Sequence, residues 1–447
     1  MNRQTIAAIA TPPGEGGIAI IRISGPRALE VADSVCSKNV HNLPSHTAHY
    51  TQIRDNAHVI DHALIIPMRF PRSYTGEDTV EIQCHGGRMA QKVLDAIIAA
   101  GAKPAGPGEF TYRAFLNGKL DLSQAEAVQS LIGAQNDLAL QASKNQLNGA
   151  LSNQIHSFQK RLADTAAILE AWVDFPEEGL EFASTQEVIQ TLTDICQDMQ
   201  KLQRTFHDGQ KIQHGFTCGL IGAPNVGKSS LMNLLLGKAR AIVTDKAGTT
   251  RDVIEDQLML GHLHLRLLDT AGIRTTDEVI EQEGVRRTHE TLQECDLTLL
   301  VLDISRPLNS DETQLLKKLD PQKTLVIWNK TDLCPVPTKL SFPHQVQMSA
   351  KEQTGLDALK QAIEKAIWSK GLPDKNQIIL TQKRHHTALT DAIDTLQHLI
   401  DGLKTDISCE FLASDMRAVL LNLSQICGTD VTEDVLDAIF ANFCVGK

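Results

Sequence analysis

Gly222-Ala-Pro-Asn-Val-Gly227-Lys228-Ser229 has the spacing G-x-x-x-x-G-K-[ST]. It follows a strand-like run, Phe216 to Ile221, and precedes a helix-like run, Ser230 to Leu236. In that context the pattern binds phosphate rather than merely turning the chain. The glycines let the backbone N–H groups of Asn225, Val226, Gly227, Lys228, Ser229 and Ser230 wrap phosphate oxygens. Lys228 would neutralise the β- and γ-phosphates, and Ser229 would ligate Mg²⁺.

Three further motifs follow in order. Asp269-Thr270-Ala271-Gly272 comes after the strand-like run Leu263 to Leu268. Asp269 is placed to act on Mg²⁺, and the Gly272 N–H can sense a γ-phosphate. Asn329-Lys330-Thr331-Asp332 follows Thr324 to Trp328. A carboxylate accepts from both the ring N–H and the exocyclic amine of guanine, and adenine offers no such pair, so Asp332 selects GTP over ATP. Ser349-Ala350-Lys351 would back the base with a main-chain N–H. The segment Thr244, Asp245, Lys246, Ala247, Gly248, Thr249, Thr250 lies between the first two motifs. A threonine there can complete the Mg²⁺ shell when the γ-phosphate is present, ordering a switch loop.

Ile273 stands where many signalling GTPases place a water-orienting glutamine. Isoleucine cannot orient water, so another group must. Glu278, Glu281 and Glu283 are the nearby candidates, each also readable as a solvated helix charge. The transition state needs extra positive charge as well. Arg251, Arg274 or a bound monovalent cation could supply it, with Asn225 as a side-chain ligand to such an ion.

Several elements must position these residues. Residues 1 to about 118 read as mixed α/β, with β-branched runs at Ile18 to Ile23 and Thr79 to Ile82 and a helix from about Met89 to Ala100. From about Leu120 the period becomes helical. Leu147, Leu151, Ile155, Phe158 and Leu162 fall on one face, and few Gly or Pro interrupt residues 121–172, which predicts a pair of long helices. Residues 214 to about 370 alternate strand and helix, the mark of a doubly wound sheet. The helical period returns in Leu389, Ile393, Leu396, Ile400 and Leu403. The expected fold is multidomain: an N-terminal α/β domain (1–118), a helical domain in two parts (119–213 and 372–447), and a P-loop GTPase domain inserted between them (214–371).

Composition bounds the partners. The 447 residues carry 43 Lys and Arg against 54 Asp and Glu, a net charge of −11. A chain that gripped RNA alone would show a basic excess. The nine cysteines show no C-x-x-C pair, which fits reduced thiols in a cytoplasm. No signal peptide or membrane span is expected.

Beyond the guanine motifs, several stretches resemble one family, the MnmE (TrmE) tRNA-modification GTPases, and the resemblance runs over essentially the whole chain. They are Ala10-Thr-Pro-Pro-Gly14, Arg22-Ile-Ser-Gly25, Tyr74-Thr-Gly-Glu-Asp78, His85-Gly-Gly87, Gly108-Glu-Phe110, Arg113-Ala-Phe-Leu-Asn117, Lys119-Leu-Asp-Leu-Ser-Gln-Ala-Glu126 and the tail Cys444-Val-Gly-Lys447. Val445 stands for the family's Ile, and Ala223 for a common Arg.

The resemblance implies further roles. Asn225, Thr244, Lys246 (through its backbone) and Thr249 would hold potassium, which acts where an arginine finger would. Ser229 and Thr250 would hold Mg²⁺, and Glu281 would orient the water. Lys228, Thr250 and Gly272 complete the catalytic set. The N-terminal domain would dimerise and bind 5-formyl-tetrahydrofolate or a related folate through Arg22, Glu81, Lys119 and Lys447, with Cys444 nearby. The reaction implied is GTP-driven addition of an aminomethyl or carboxymethylaminomethyl group to carbon 5 of the wobble uridine of certain tRNAs. The flavoprotein MnmG (GidA) would be the partner in a heterotetramer. Two other classes share part of this pattern: a ribosome-assembly or switch GTPase, and a folate-dependent one-carbon transferase regulated by its GTPase.

Overall fold

The computed structural model describes residues 4–55, 58–174, 184–238, 255–260, 263–269, 295–333, 340–368, 374, 377–405 and 407–447. The chain divides into two compact units. The first comprises residues 1–133, 143–203 and 384–447; the second comprises 134–142 and 204–383.

In the first unit, a six-stranded sheet is built from β1 (Ile6–Ile9), β2 (Ala19–Ser24), β3 (His49–Asp55), β4 (His58–Met68), β5 (Thr79–Cys84) and β6 (Lys103–Pro104). Its order is β3-β4-β5-β2-β1-β6, antiparallel except for the β1–β6 pair. Alternation along the strands sorts residues to two faces. Ala7, Ile21, Ile23, Val80 and Ile82 join one core with α1 (Ala28–Val35) and α2 (Arg88–Ala99). Ile6 and Ala8 face the other way, onto Phe110 of α3 (Glu109–Leu116).

The remaining described helices of this unit are α4 (Leu122–Gly133), part of α5 (Asp137–Leu147), α6 (Ala150–Asp174), α7 (Thr185–Arg204), α12 (Lys383–Lys404), α13 (Cys409–Cys427) and α14 (Glu433–Phe440). Thus residues 121–172 form three helices, not the expected pair. Residues 134–136 make one break and Asn148-Gly149 the other, where Gly149 sits at φ +84°, a left-handed conformation that other residues avoid. Leu147 therefore closes α5, whereas Leu151, Ile155, Phe158 and Leu162 share the buried stripe of α6. The stripe read from Leu389, Ile393, Leu396, Ile400 and Leu403 is buried along α12.

The α4–α12 junction carries a buried ionic cluster. His385, fully buried, places Nε2 2.6 Å from Glu126 Oε2, and Arg384 donates to both Glu126 oxygens at 3.0 and 2.8 Å. Burial alone would raise the Glu126 pKa, but His385 and Arg384 outweigh it and hold the carboxyl at about 2. Arg384 also donates to the Ile426 carbonyl at 3.0 Å, tying in the end of α13.

The second unit contains α8 (Phe206–His214), β7 (Phe216–Ile221), α9 (Lys228–Lys238), β8 (Glu255–Leu260), β9 (Leu263–Asp269), β10 (Leu297–Asp303), α10 (Ser310–Lys318), β11 (Thr324–Asn329), β12 (His344–Gln347) and α11 (Leu356–Ile367). The sheet order is β12-β11-β10-β7-β9-β8, parallel except for β8. The central strands are apolar on both faces, as a sheet covered by helices on both sides requires. Leu299, Val301, Leu325 and Ile327 join α9 and α11, while Leu300, Leu302, Val326 and Trp328 join α10. This is the doubly wound fold expected from the sequence.

Candidate nucleotide and N-terminal sites

The phosphate-type loop begins where β7 ends. Gly222 has φ +151°, and a Cβ there would lie 2.4 Å from the Val301 carbonyl oxygen. Gly227 has φ +98°, and its Cβ would meet the Asn329 amide nitrogen at 2.2 Å. Both positions therefore demand glycine, and the loop turns tightly over the parallel strand ends. Asn225 between them is exposed and left-handed, at φ +62°. Lys228 opens α9 and folds its ammonium back over the loop, donating to the carbonyls of Gly222 (2.8 Å) and Ala223 (2.9 Å). Ser229 and Ser230 are exposed on the first turn of that helix.

Asn329 joins this loop to the base motifs. Its side-chain amide donates to the Val226 carbonyl at 2.8 Å and accepts from the Ala350 N–H at 3.0 Å. One buried side chain thus fixes three segments that lie far apart in sequence. Lys330, at φ +66°, pairs with Asp303 at the end of β10 at 2.6 Å. Burial would raise the Asp303 pKa; bonds from Lys330 and Ser305 override it, and the group stays ionised below the usual carboxylate range. The sequence reading overlooked Asp303, although Leu-Val-Leu-Asp at the end of an apolar run is a strand-end acid facing the binding edge.

The fully buried Ser349 donates its hydroxyl to Asp332 Oδ1 at 2.6 Å. That bond, helped by Lys351 and Lys330, holds the exposed Asp332 carboxyl below its ordinary pKa. An ionised carboxylate, oriented by Ser349, suits the two donors of a guanine edge. These residues fit a guanine nucleotide. Asp269 ends β9 next to the central strand β7, with Asp269 paired in register to Leu220. Thr244, Asp245, Lys246, Ala247, Gly248, Thr249, Thr250, Arg251, Thr270, Ala271, Gly272, Ile273, Arg274, Glu278, Glu281 and Glu283 lie outside the described residues.

The second candidate site is on the first unit's sheet. Arg22 of β2 and Glu81 of β5 are direct cross-strand partners. The Arg22 Nε and Nη2 both reach Glu81 Oε1, at 3.0 and 2.8 Å. Alternation puts them on the face opposite the Ile21–Ile82 core, where the guanidinium lies 5.4 Å from the Tyr74 ring and 5.6 Å from that of Phe110. Lys119 donates to the Pro71 carbonyl at 3.2 Å. The tail returns to the same sheet: Gly446 lies so close to Ile9 that a Cβ would sit 2.3 Å from its carbonyl oxygen. Val445 bridges Pro107, and Lys447 is the next residue but one. Cys444 is exposed, not buried as a lone cysteine often is. A guanidinium over aromatic rings, paired with a carboxylate, fits a flat, hydrogen-bonding heterocycle such as a pterin.

The family model for the MnmE helical domain matches residues 122–444, and that for the GTP-binding protein TrmE N-terminus matches residues 5–119. The tRNA modification GTPase MnmE of Protochlamydia amoebophila is 54% identical over 448 residues, 99% of this chain and 98% of its own. The chain belongs to the MnmE family. MnmE proteins of Chlamydia trachomatis serovar L2 (42% identical, covering 100% of both chains) and Clostridioides difficile (40%, 99% of both) extend the likeness. Among solved structures, Era of Aquifex aeolicus bound to GDP·AlF4− aligns with 41% of this chain and 67% of its own, at 24% identity and a TM-score of 0.28, too low to add to the assignment. As an MnmE-type protein the chain is a GTP hydrolase. No described helix is long and apolar enough to cross a membrane.

Proposed function

We propose that this GTPase drives modification of carbon 5 of the wobble uridine in certain tRNAs, acting as a homodimer with a flavoprotein of the MnmG class. The observation that supports the reading is full-length kinship: the likeness to the family spans the N-terminal and helical regions as well as the guanine motifs. A bare switch GTPase has no use for them. The acidic net charge suits a protein that shares its grip on tRNA with a partner.

The site residues take these roles in the proposal. The loop from Asn225 to Ser230 wraps the phosphates, and Lys228 exchanges its two loop carbonyls for β- and γ-phosphate oxygens. Asp332 reads guanine, backed by Ala350 and fixed by Ser349. Ser229, Thr250 and Asp269 serve Mg²⁺, and Asn225, Thr244, Lys246 and Thr249 serve K⁺. Held by these residues, the two ions would supply positive charge against the charge that develops on the phosphates in the transition state. Glu281 orients the attacking water, the task Ile273 cannot perform. Arg22, Glu81, Lys119 and Lys447 hold a folate as the one-carbon source.

Deleting the gene should abolish the modified wobble uridine in total tRNA nucleosides and leave ribosome profiles intact. Loss of ribosomal subunits with normal tRNA would point to an assembly GTPase instead. Potassium should raise GTP turnover well above sodium at equal ionic strength; equal rates would remove Asn225 from the cation site. Glu281→Ala should leave GTP affinity nearly intact while turnover falls, by roughly a hundredfold or more for loss of a water-positioning group. A collapse in affinity with normal turnover per bound GTP would make the residue structural.

A further inference from the structure

The strand β4 ends at Met68, and the loop that follows carries two sets of residues. Tyr74, on one part of it, lies under the Arg22 guanidinium. Arg69, Phe70, Pro71 and Arg72, on another part, line a recess of about 390 Å³ completed by Ser45 and His46. Pro71 and Tyr74 are three residues apart, at most about 11 Å along an extended chain. Lys119 joins the two parts, since its ammonium rests on the Pro71 carbonyl and its stem packs at 3.2 Å from the Cβ position of Gly76.

The recess is built, and it is basic. The backbone N–H of Arg69 donates to the Ser45 hydroxyl at 3.1 Å, and its guanidinium donates to the carbonyls of His41 and Leu43. His46 is fixed at φ +62°, its N–H on the Pro67 carbonyl and its Nδ1 2.8 Å from Ser45 Oγ. A carboxylate also reaches the loop: Asp78 Oδ1 accepts from the Phe70 N–H at 2.9 Å. Phe70 itself is 72% exposed. Among the described residues no side chain pairs with the Arg72 guanidinium, which stands exposed at the rim. An unpaired guanidinium beside Arg69, His46 and Lys119 is a place for several carboxylates in a row, because each can take a forked pair of N–H bonds.

We propose that this recess is a subsite for the oligo-γ-glutamyl tail of the folate, with Arg72 as its principal carboxylate partner. The inference rests on the folate reading given above. It adds that the protein distinguishes folates by the length of their acidic tail, the pterin end lying toward Arg22 and Glu81 and the tail passing Lys119 toward Arg72.

The test measures equilibrium binding of 5-formyl-tetrahydrofolate carrying one glutamate or five to the full chain, wild type and Arg72→Ala. The wild type should hold the pentaglutamate on the order of tenfold tighter, the scale of one added charge-assisted contact at an exposed site. Salt should narrow that gap. Arg72→Ala should close the gap and leave monoglutamate affinity unchanged. Equal wild-type affinity for both tail lengths would overturn the subsite and leave the folate reading standing. Binding of neither form would remove the folate reading itself. If Arg72→Ala weakened tRNA binding while the tail-length gap persisted, the recess would be a contact for RNA phosphate, and the proposal would fail.

Discussion

Asp332→Asn should weaken GTP binding by roughly a hundred- to ten-thousandfold, the worth of two charge-assisted hydrogen bonds. Guanine presents two donors, the ring N–H and the 2-amino group, to the two carboxylate oxygens. The Ser349 hydroxyl already fixes one oxygen at 2.6 Å and so sets the plane of the group. In asparagine one oxygen becomes an amide that donates, and it would face another donor. Xanthine carries a carbonyl where guanine carries its amine, so the variant should bind xanthosine triphosphate better than the wild type does. ATP should gain nothing. The measurement is competition against a fluorescent guanine nucleotide, followed by turnover of each triphosphate. Unchanged GTP affinity would remove Asp332 from base recognition.

A comparable effect is expected on the fold, at Glu126. Glu126 is 7% exposed, and its carboxylate partners both His385 and Arg384. Glu126→Ala leaves a fully buried imidazole and a half-buried guanidinium without their shared carboxylate. Breaking a buried pair from one side costs about 3–5 kcal/mol. The His385 Nδ1 already lacks a partner among the described residues, so little slack remains to absorb the loss. The pH dependence follows from the direction of the shift. The Glu126 pKa falls on folding, from its ordinary 4.5 to about 2. Its contribution is therefore complete above pH 4.5 and disappears as the pH drops toward 2. Urea unfolding at pH 7 and pH 3 should show the variant losing less stability on acidification than the wild type. Equal acid sensitivity in the two proteins would show that another group governs the acid transition.

The guanine motifs were legible because each is short and its chemistry is local. A glycine at a left-handed turn, a lysine at a helix start and an acid at a strand end can be named without knowing the fold. The role of Asn329 was less legible, since its two bonds reach Val226 and Ala350, which are remote in sequence. The Arg22–Glu81 pair lay beyond reading from residue types alone. It exists because two strands fifty-nine residues apart align in one register. A signal was present all the same: Ile-Ile-Arg-Ile and Val-Glu-Ile each place one charge where period-two alternation sends it to a single face. The count of helices failed at two short breaks, 134–136 and Asn148-Gly149, because helical periodicity records which side is buried and passes over a brief interruption.

The tail that closes against β1 has a consequence for how the chain is made. Gly108 sits against Phe440 and Phe443, Val445 bridges Pro107, and Gly446 abuts Ile9. The first strand therefore waits for residues near 445 before its neighbourhood is complete. Between them the ribosome must produce the whole of 204–383, which belongs to the other unit. At about 5–20 residues per second, that interval alone lasts on the order of ten to thirty seconds. The inserted unit can mature first, while the N-terminal sheet holds an unfinished surface. Chaperone capture during translation should accordingly concentrate on the early sheet and helices, although they are the first parts synthesised.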